Sequence, residues 1–146
     1  MRKLFLTSLT VGVLLFTITS CQQTAGNNTQ APENAQSDTA NYSTIHWIDS
    51  LKDFGTVAKG AKVNIDYQFE NTGDKPLFIT SVRPTCGCTV ADYTKTAVLP
   101  GEKGSVTAEF DSNHGAVGNI RKSIIVSSNT KNNTNFVLAF TGTVTQ

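Results

Sequence analysis

The sequence has few charges and no cluster of basic residues. Only 16% of its 146 residues are charged, and 12 Lys and Arg are balanced by 11 Asp and Glu. A nucleic-acid-binding domain normally carries a concentrated basic surface, and an anionic lipid surface is bound by neighbouring Lys and Arg residues. The composition therefore argues against both nucleic acid and a polybasic membrane contact as partners.

The motifs that would point to a catalytic centre are also missing. The chain has no Gly-x-Ser-x-Gly elbow, no phosphate-binding loop, no His-Glu-x-x-His pair and no Cys-x-x-Cys. Its two histidines are far apart, and its only Met is the initiator. We interpret His46, beside Trp47, as part of a strand edge, and His114 as a loop residue. We therefore expect a non-catalytic protein without a cofactor.

The longest apolar stretch lies at the N-terminus and is too short to cross a membrane. Arg2 and Lys3 precede an apolar core that ends at Phe16, and small residues follow it, whereas a spanning helix needs about 20 apolar residues. This arrangement is typical of a secretion signal, so residues 1–20 are predicted to be removed. Removal would leave 10 of the 12 basic residues against 11 acidic ones, a formal charge of −1.

The predicted signal ends in Ile18-Thr19-Ser20-Cys21, which resembles the lipobox of bacterial lipoproteins. The resemblance implies that Cys21 is acylated and becomes the first residue of the mature chain. Several acyl chains anchor a protein firmly because each buried methylene contributes about 0.8 kcal/mol. No acidic residue follows Cys21 directly, which by resemblance favours the outer membrane, facing the periplasm. The alternative is an ordinary secretion signal that happens to end at a cysteine.

Residues 21–43 are predicted to form a disordered tether behind the lipidated cysteine. From Gln22 to Ser43 there is no Leu, Ile, Val, Phe or Trp, and such a segment buries too little apolar surface to offset its ordering entropy. A flexible chain of this length spans roughly 25 Å. Asp38-Thr39-Ala40 resembles an O-glycosylation acceptor of envelope proteins in some Gram-negative bacteria, which implies a glycan on Thr39.

Residues 44–146 are predicted to form an all-β domain that begins with a strand at Asp53 to Val57. Val63 to Glu70 alternates apolar and polar residues, as a half-buried strand does. The same alternation recurs in three later segments, Val106 to Phe110, Ile120 to Val126 and Phe136 to Val144. Turns separate these segments, and Gly73 is assigned to one of them because glycine can adopt a positive φ. About seven short strands predict an immunoglobulin-like antiparallel β-sandwich.

Four segments occur in this order within the domain: Asp53-Phe54-Gly55-x-Val57, Phe69-x-Asn71-x-Gly73-x-x-Pro76-Leu77-x-Ile79, Cys86-Gly87-Cys88-Thr89 and Pro100-Gly101-Glu102. Together they resemble a family of Gram-negative envelope lipoproteins that carry one immunoglobulin-like domain of unknown function. The pattern is similar to that of Hydin-type and major-sperm-protein-like sandwiches. The resemblance implies the fold and the envelope location, and it implies no reaction.

Cys86 and Cys88 form a pair for which the sequence leaves three interpretations open. The first is a disulfide, which in so small a loop would be easily reduced. It requires a bend, because an extended strand holds the two Cα atoms about 6.6 Å apart while a disulfide brings the Cβ atoms to about 3.8 Å. The second is a weak Cu(I) or Zn(II) site. The third is two reduced thiols that pack as small hydrophobic groups.

Taken together, the sequence predicts a lipid-anchored envelope protein that binds or scaffolds another envelope protein. Contact would be made through loops at one end of the sandwich or through an exposed edge strand. The alternative function is that of a thiol-based redox or copper- or zinc-handling protein that uses Cys86 and Cys88.

Overall fold

The computed structural model describes Ala35 and residues 39–146, which form two packed four-stranded sheets. A short 3₁₀ turn at Thr39–Asn41 precedes eight strands. These are β1 Ile45–Trp47, β2 Leu51–Ala58, β3 Lys62–Asn71, β4 Ile79–Pro84, β5 Thr89–Tyr93, β6 Lys103–Asp111, β7 Gly118–Ser128 and β8 Asn135–Thr145. The first sheet has the order β1-β3-β6-β5 and the second the order β2-β8-β7-β4. The predicted all-β, immunoglobulin-like sandwich is confirmed.

Several predictions concern residues outside this part of the chain. The predicted secretion signal, the lipobox and Cys21 all lie outside the described residues, as does most of the predicted tether. Thr39, the predicted glycan acceptor, is described and is exposed in the 3₁₀ turn. No helix among the described residues is long and apolar enough to span a membrane.

Strand count and strand direction differ from the sequence-based expectation. The sandwich has eight strands rather than about seven, because short strands β1 and β5 lack a long alternating pattern. The arrangement is also not wholly antiparallel, since β2 pairs in parallel with β8 from Leu51↔Ala139 to Ala58↔Thr145. A register shift between Asp53 and Thr56 interrupts β2, and Gly55 in the shift has a φ of 74°. β1 and β2 follow each other in the chain but lie in different sheets.

The core lies between the sheets, where the predicted alternation places the apolar side chains. In β3 the buried residues are Ile65, Tyr67 and Phe69, and in β8 they include Leu138, Phe140 and Val144. The hydroxyl of Tyr67 crosses the sandwich and donates to the Ala139 carbonyl at 2.8 Å. Burial raises the pKa of Tyr67 to about 12. The uncharged phenol is therefore stabilised in the fold, and this contribution is lost as pH rises from about 10 towards 12.

A buried asparagine at the end of β3 connects the turns at one end of the sandwich. Asn71 is fully buried, and its Oδ1 accepts hydrogen bonds from Ser43 Oγ at 2.6 Å and from Gly73 N at 3.0 Å. Its Nδ2 donates to the carbonyls of Lys75 and Val98, both at 2.8 Å. All four hydrogen-bonding positions of the amide are therefore used.

Asn129 has an equivalent role at the end of β7. Its Oδ1 accepts from Phe78 N at 2.7 Å, and its Nδ2 donates to the carbonyls of Asn41 and Pro76, both at 3.0 Å. The backbone carbonyl of Asn129 accepts from Ser43 N at 2.9 Å. The segment before β1 is thus bonded to both asparagines.

Ser43 and Gly73 differ from their sequence-based assignments. Ser43 belongs to the tether by composition, yet only 1% of it is exposed and it bonds to both buried asparagines. Gly73 is not among the glycines with positive φ. A Cβ at this position would instead overlap Ser43 Oγ and the backbone nitrogen of Thr44. Glycine is needed at position 73 because the segment before β1 packs directly against it.

Replacing Asn71 with Asp is expected to lower the free energy of unfolding by about 3 kcal/mol or more. The second carboxylate oxygen would face the carbonyls of Lys75 and Val98, and a buried polar group that loses its partner costs about 1–3 kcal/mol. Urea unfolding measures the loss. The control is Asn119→Asp, because Asn119 Oδ1 only accepts an exposed bond from Thr143. Equal losses in the two variants would contradict the role assigned to Asn71.

Candidate functional site

The two cysteines lie where the chain crosses from the second sheet to the first. β4 ends at Pro84 and β5 begins at Thr89, and both are edge strands. Residues 85–88 form a bend in which a disulfide joins Cys86 and Cys88, with Cα atoms 5.3 Å apart. The Cys88 carbonyl accepts from Asp111 N at 2.9 Å. The bend is therefore attached to the end of β6.

The two cysteine residues differ in exposure, and their sulfur atoms share one polar neighbour. Cys86 is half-buried, whereas Cys88 is only 8% exposed and belongs to the core. Thr89 Oγ1 lies 3.5 Å from Cys86 Sγ and 4.0 Å from Cys88 Sγ. Because a disulfide sulfur carries no proton, the hydroxyl of Thr89 is the donor in both contacts.

Strand pairing adds a cation near the bend that sequence proximity does not reveal. Along the sequence, the cation nearest to the two cysteines is Arg83, and its side chain is exposed. Thr85 N donates to Ser123 O at 3.0 Å, so the chain follows β7 for one residue beyond β4, and Lys122 is the next residue of β7 in this direction. Lys122 is half-buried on β7 and is distant from the cysteines along the chain. Only the strand register could have identified it.

The two histidines do not accompany the cysteines as metal ligands. His46 lies on β1, the edge of the first sheet opposite to β5. His114 is exposed in the loop after β6, where its Nδ1 lies 3.3 Å from Asp111 Oδ2. Within Ala35 and residues 39–146, no three His, Cys, Asp or Glu side chains form a group that could hold a metal ion.

Three of the four edge strands carry features that block the addition of another strand. On β1, the side chain of Asn132 accepts from Ile45 N at 3.2 Å and donates to Ile45 O at 2.8 Å. On β2, the register shift bends the edge, and the Asp53 carboxylate accepts from Gly55 N at 2.8 Å. On β4, a register shift follows Ile79 and the strand ends at Pro84, which has no N–H. Caps, bulges and edge prolines all prevent unwanted strand pairing.

The edge of β5 has no register shift and no proline, and its one side-chain cap is the Asp92 carboxylate, which accepts from the N–H of Tyr93 at the end of the strand. The strand pairs with β6 without a register shift. Hydrogen bonds from Asp111 N to Cys88 O and from Thr94 N to Ser105 O show which residues face β6. By the alternation of an antiparallel ladder, Ala91 directs its N–H and C=O away from the sheet. Among the residues that the structure describes, no hydrogen bond reaches these two groups.

The side chains around this edge are both apolar and charged. Val90 is 72% exposed on the outer face of β5. The Asp92 carboxylate accepts from the Tyr93 backbone N–H and pairs with Lys95 at 3.1 Å, and these contacts lower the pKa of Asp92. The Tyr93 amide is thus occupied at one end of the strand. The open stretch of edge is centred on Ala91, next to the disulfide.

A polar depression of about 420 Å³ lies on the outer face of the second sheet. Asp53, Asn119, Arg121, Thr141 and Thr143 contribute side chains to it. It is shallow and open. Within the described part of the chain, the one buried side-chain N or O atom without a hydrogen bond is the indole nitrogen of Trp47, outside this depression. The depression therefore has no buried side-chain polar atom left without a partner, whereas the β5 edge has the free N–H and C=O of Ala91, and we regard the edge as the stronger candidate binding site.

Solved structures share the fold at low sequence identity. A Porphyromonas gingivalis protein of unknown function matches with a TM-score of 0.63 and 17% identity, over 72% of this chain and 48% of that one. The human CEP192 PapD-like domain 7 matches with a TM-score of 0.56 and 11% identity, over 96% of this chain and 99% of that domain. The secreted serine protease VesC of Vibrio cholerae matches with a TM-score of 0.53 and 13% identity, over 69% of this chain and 23% of that one. These likenesses show the fold alone.

A sequence family described as "Protein of unknown function (DUF1573)" matches residues 45–144, from the start of β1 into the end of β8. The match confirms the resemblance to a domain of unknown function. The chain spans about half the length of the Porphyromonas gingivalis protein and about a quarter of VesC. A comparison with curated proteins gives no match.

The disulfide is expected to contribute little to stability, because its two cysteines are only two positions apart. Closing so small a loop removes little entropy from the unfolded chain and stabilises by about 1.5 kcal/mol. The double variant Cys86→Ala, Cys88→Ala should lose about that amount in urea unfolding. The matched control is the wild type unfolded in the presence of reductant, which opens the disulfide but keeps both cysteine side chains. A loss beyond about 4 kcal/mol would instead identify the bend as a structural staple.

Proposed function

This chain belongs to the DUF1573 family of proteins of unknown function, and from that premise we propose that it is a lipid-anchored envelope protein whose β5 edge binds an extended segment of another envelope protein. The role is that of a non-catalytic binding or scaffold protein. The observation that carries the proposal is the open edge at Ala91. The other three edges of the sandwich are capped, bulged or closed by proline.

Strand addition uses the backbone groups that β5 leaves free. An incoming extended segment would pair with the N–H and C=O of Ala91, which supplies affinity without depending on the partner's side chains. Specificity would come from side chains on the two faces of the added strand. On the outer face, the exposed Val90 offers an apolar contact to a β-branched or aromatic residue. The protein would therefore recognise a strand-forming segment of low charge.

Anchoring through Cys21 is supported by the lipobox-like sequence that ends there. Within the described residues, hydrogen bonds to Asn129 begin at Asn41 and Ser43, and Asn41 follows Cys21 by 20 positions in the sequence. A domain held in this way could reach a partner in the same membrane or in the space beside it. The proposed location is the outer membrane, facing the periplasm.

Strand addition is testable by photo-crosslinking in the cells that produce the protein. A photoreactive residue at Val90 is expected to form an adduct with a partner, whereas one at Val137, exposed on central strand β8, is not. Ala91→Pro removes the outward N–H without removing a β6 hydrogen bond, and should reduce the adduct about tenfold through loss of a backbone hydrogen bond and a steric clash.

The matched control is Val82→Pro, which removes an outward N–H from the edge of β4. It should leave the adduct at Val90 intact. Melting temperatures of both proline variants show whether the sandwich is folded. An adduct that survives Ala91→Pro, or the repeated absence of any adduct at Val90, would contradict binding at this edge.

Anchoring is tested separately with Cys21→Ala. This variant should incorporate no labelled fatty acid and should leave the membrane fraction, because the acyl chains supply the membrane affinity. The control is Cys86→Ala, Cys88→Ala, which alters the other two cysteines and should remain in the membrane fraction. If Cys21→Ala stays membrane-bound and labelled, Cys21 is not the anchor.

A further inference from the structure

We propose that the Cys86–Cys88 disulfide is a site of thiol–disulfide exchange in which an incoming thiolate attacks Cys86 and the hydroxyl of Thr89 stabilises the departing thiolate of Cys88. This goes beyond partner binding at the β5 edge and does not depend on it. Either proposal can fail while the other holds.

Accessibility determines which sulfur is attacked. Thiol–disulfide exchange requires the attacking thiolate to reach one sulfur directly, while the other departs. Cys86 is half-buried at the margin of the core, and it adjoins Gly87, which is exposed and whose Cβ position has no atom within 4 Å apart from those of its chain neighbours. Cys88 is 8% exposed and packs in the core. Solvent thus reaches Cys86, and Cys88 is the leaving group.

Thr89 supplies the second, independent observation. Thr89 is 7% exposed, and within the described residues its hydroxyl has only the two sulfurs as partners. A buried hydroxyl usually bonds a carbonyl or another strong acceptor, and a disulfide sulfur is a weak one. A thiolate is a much better acceptor. The hydroxyl lies 3.5 Å from Cys86 Sγ and 4.0 Å from Cys88 Sγ, and it can turn its proton to Cys88 when the disulfide opens and that sulfur becomes charged.

The chemistry balances without an added oxidant. A thiolate forms a bond to Cys86 Sγ, the Cys86–Cys88 bond breaks, and its electron pair leaves on Cys88 Sγ. The proton that the attacking thiol released is taken up by Cys88. A second thiol then attacks the mixed disulfide, which yields the dithiol form of the protein and a disulfide of the two attacking thiols. Two thiols are oxidised and one protein disulfide is reduced.

The reacting partner is defined by its thiolate, which a small molecule or a polypeptide cysteine can provide. Five charged or titratable side chains adjoin this end of the sandwich: Arg83 on β4, Lys122 on β7, Asp111 on β6, Lys62 opposite Asp111 on β3, and His114 in the loop after β6. The role of Thr89 is therefore measured as a difference in exchange rate between variants that keep all five.

The exchange is measured on the chain as the cell produces it, purified in detergent without reductant. Glutathione serves as the small thiol, and a reduced ten-residue peptide with one cysteine serves as the polypeptide thiol. Samples are quenched in acid and mapped by mass spectrometry. A mixed disulfide on Cys86 is expected, with glutathione, the peptide or both, and the reactive arm identifies the source of the thiol.

Thr89→Val is expected to slow the exchange about tenfold, since a hydrogen bond to a charged sulfur is lost. Thr89→Ser keeps the hydroxyl and should restore the rate. The matched control is Thr85→Val, because the Thr85 hydroxyl flanks the same bend but donates to Ser123 O at 2.9 Å. In a Cys86→Ser background, Thr89→Val should also move the alkylation profile of Cys88 to higher pH, as the thiolate loses its donor.

Three results would overturn the proposal. The first is an absence of mixed disulfide in both arms, and the second is an adduct that maps to Cys88. The third is an equal slowing by Thr89→Val and Thr85→Val, or no rescue by Thr89→Ser, which would mean that Thr89 only packs in the bend. If Thr89→Val does not fold, the adduct position in the wild type and the Thr89→Ser rate still decide the outcome.

Discussion

The fully satisfied amide of Asn71 is the constraint on which the arrangement of the sandwich depends. It donates to Lys75 and Val98 and accepts from Ser43 and Gly73, so a single buried side chain fixes the segment before β1 and two turns. No other side chain of similar size offers two donors and two acceptors in this geometry. With β1 held on one edge of the first sheet, β5 forms the other edge, and that edge is open.

Local patterns predicted the central strands well because each contacts one core on one face. The alternation from Val63 to Glu70 corresponds to β3, in which Ile65, Tyr67 and Phe69 are buried. The turn at Pro100 and Gly101 is equally local, since Gly101 has a φ of 80°. Such signals depend only on neighbouring residues, so the sequence suffices to identify them.

Features that depend on pairing between distant segments were not predicted. Gly73 is required by Ser43 rather than by its own φ, and Asn132 caps β1 from a loop far along the chain. The Cys-Gly-Cys bend was visible as a candidate site, but the burial of Thr89 depends on the pairing of β5 with β6, and the position of Lys122 depends on the register of β4 with β7. Sequence spacing does not contain that register. The open edge of β5 is defined only by comparison with the three protected edges.

The parallel pairing of β2 with β8 has a mechanical consequence. The start of β2 and the end of β8 lie at opposite ends of the paired strands. A force applied between the start of β2 and the end of β8 therefore pulls the two strands along their length. Ladder hydrogen bonds from Leu51 to Ala58 would bear the load together instead of opening one after another. A domain pulled from this side should thus resist extension more strongly than one whose terminal strands form a hairpin.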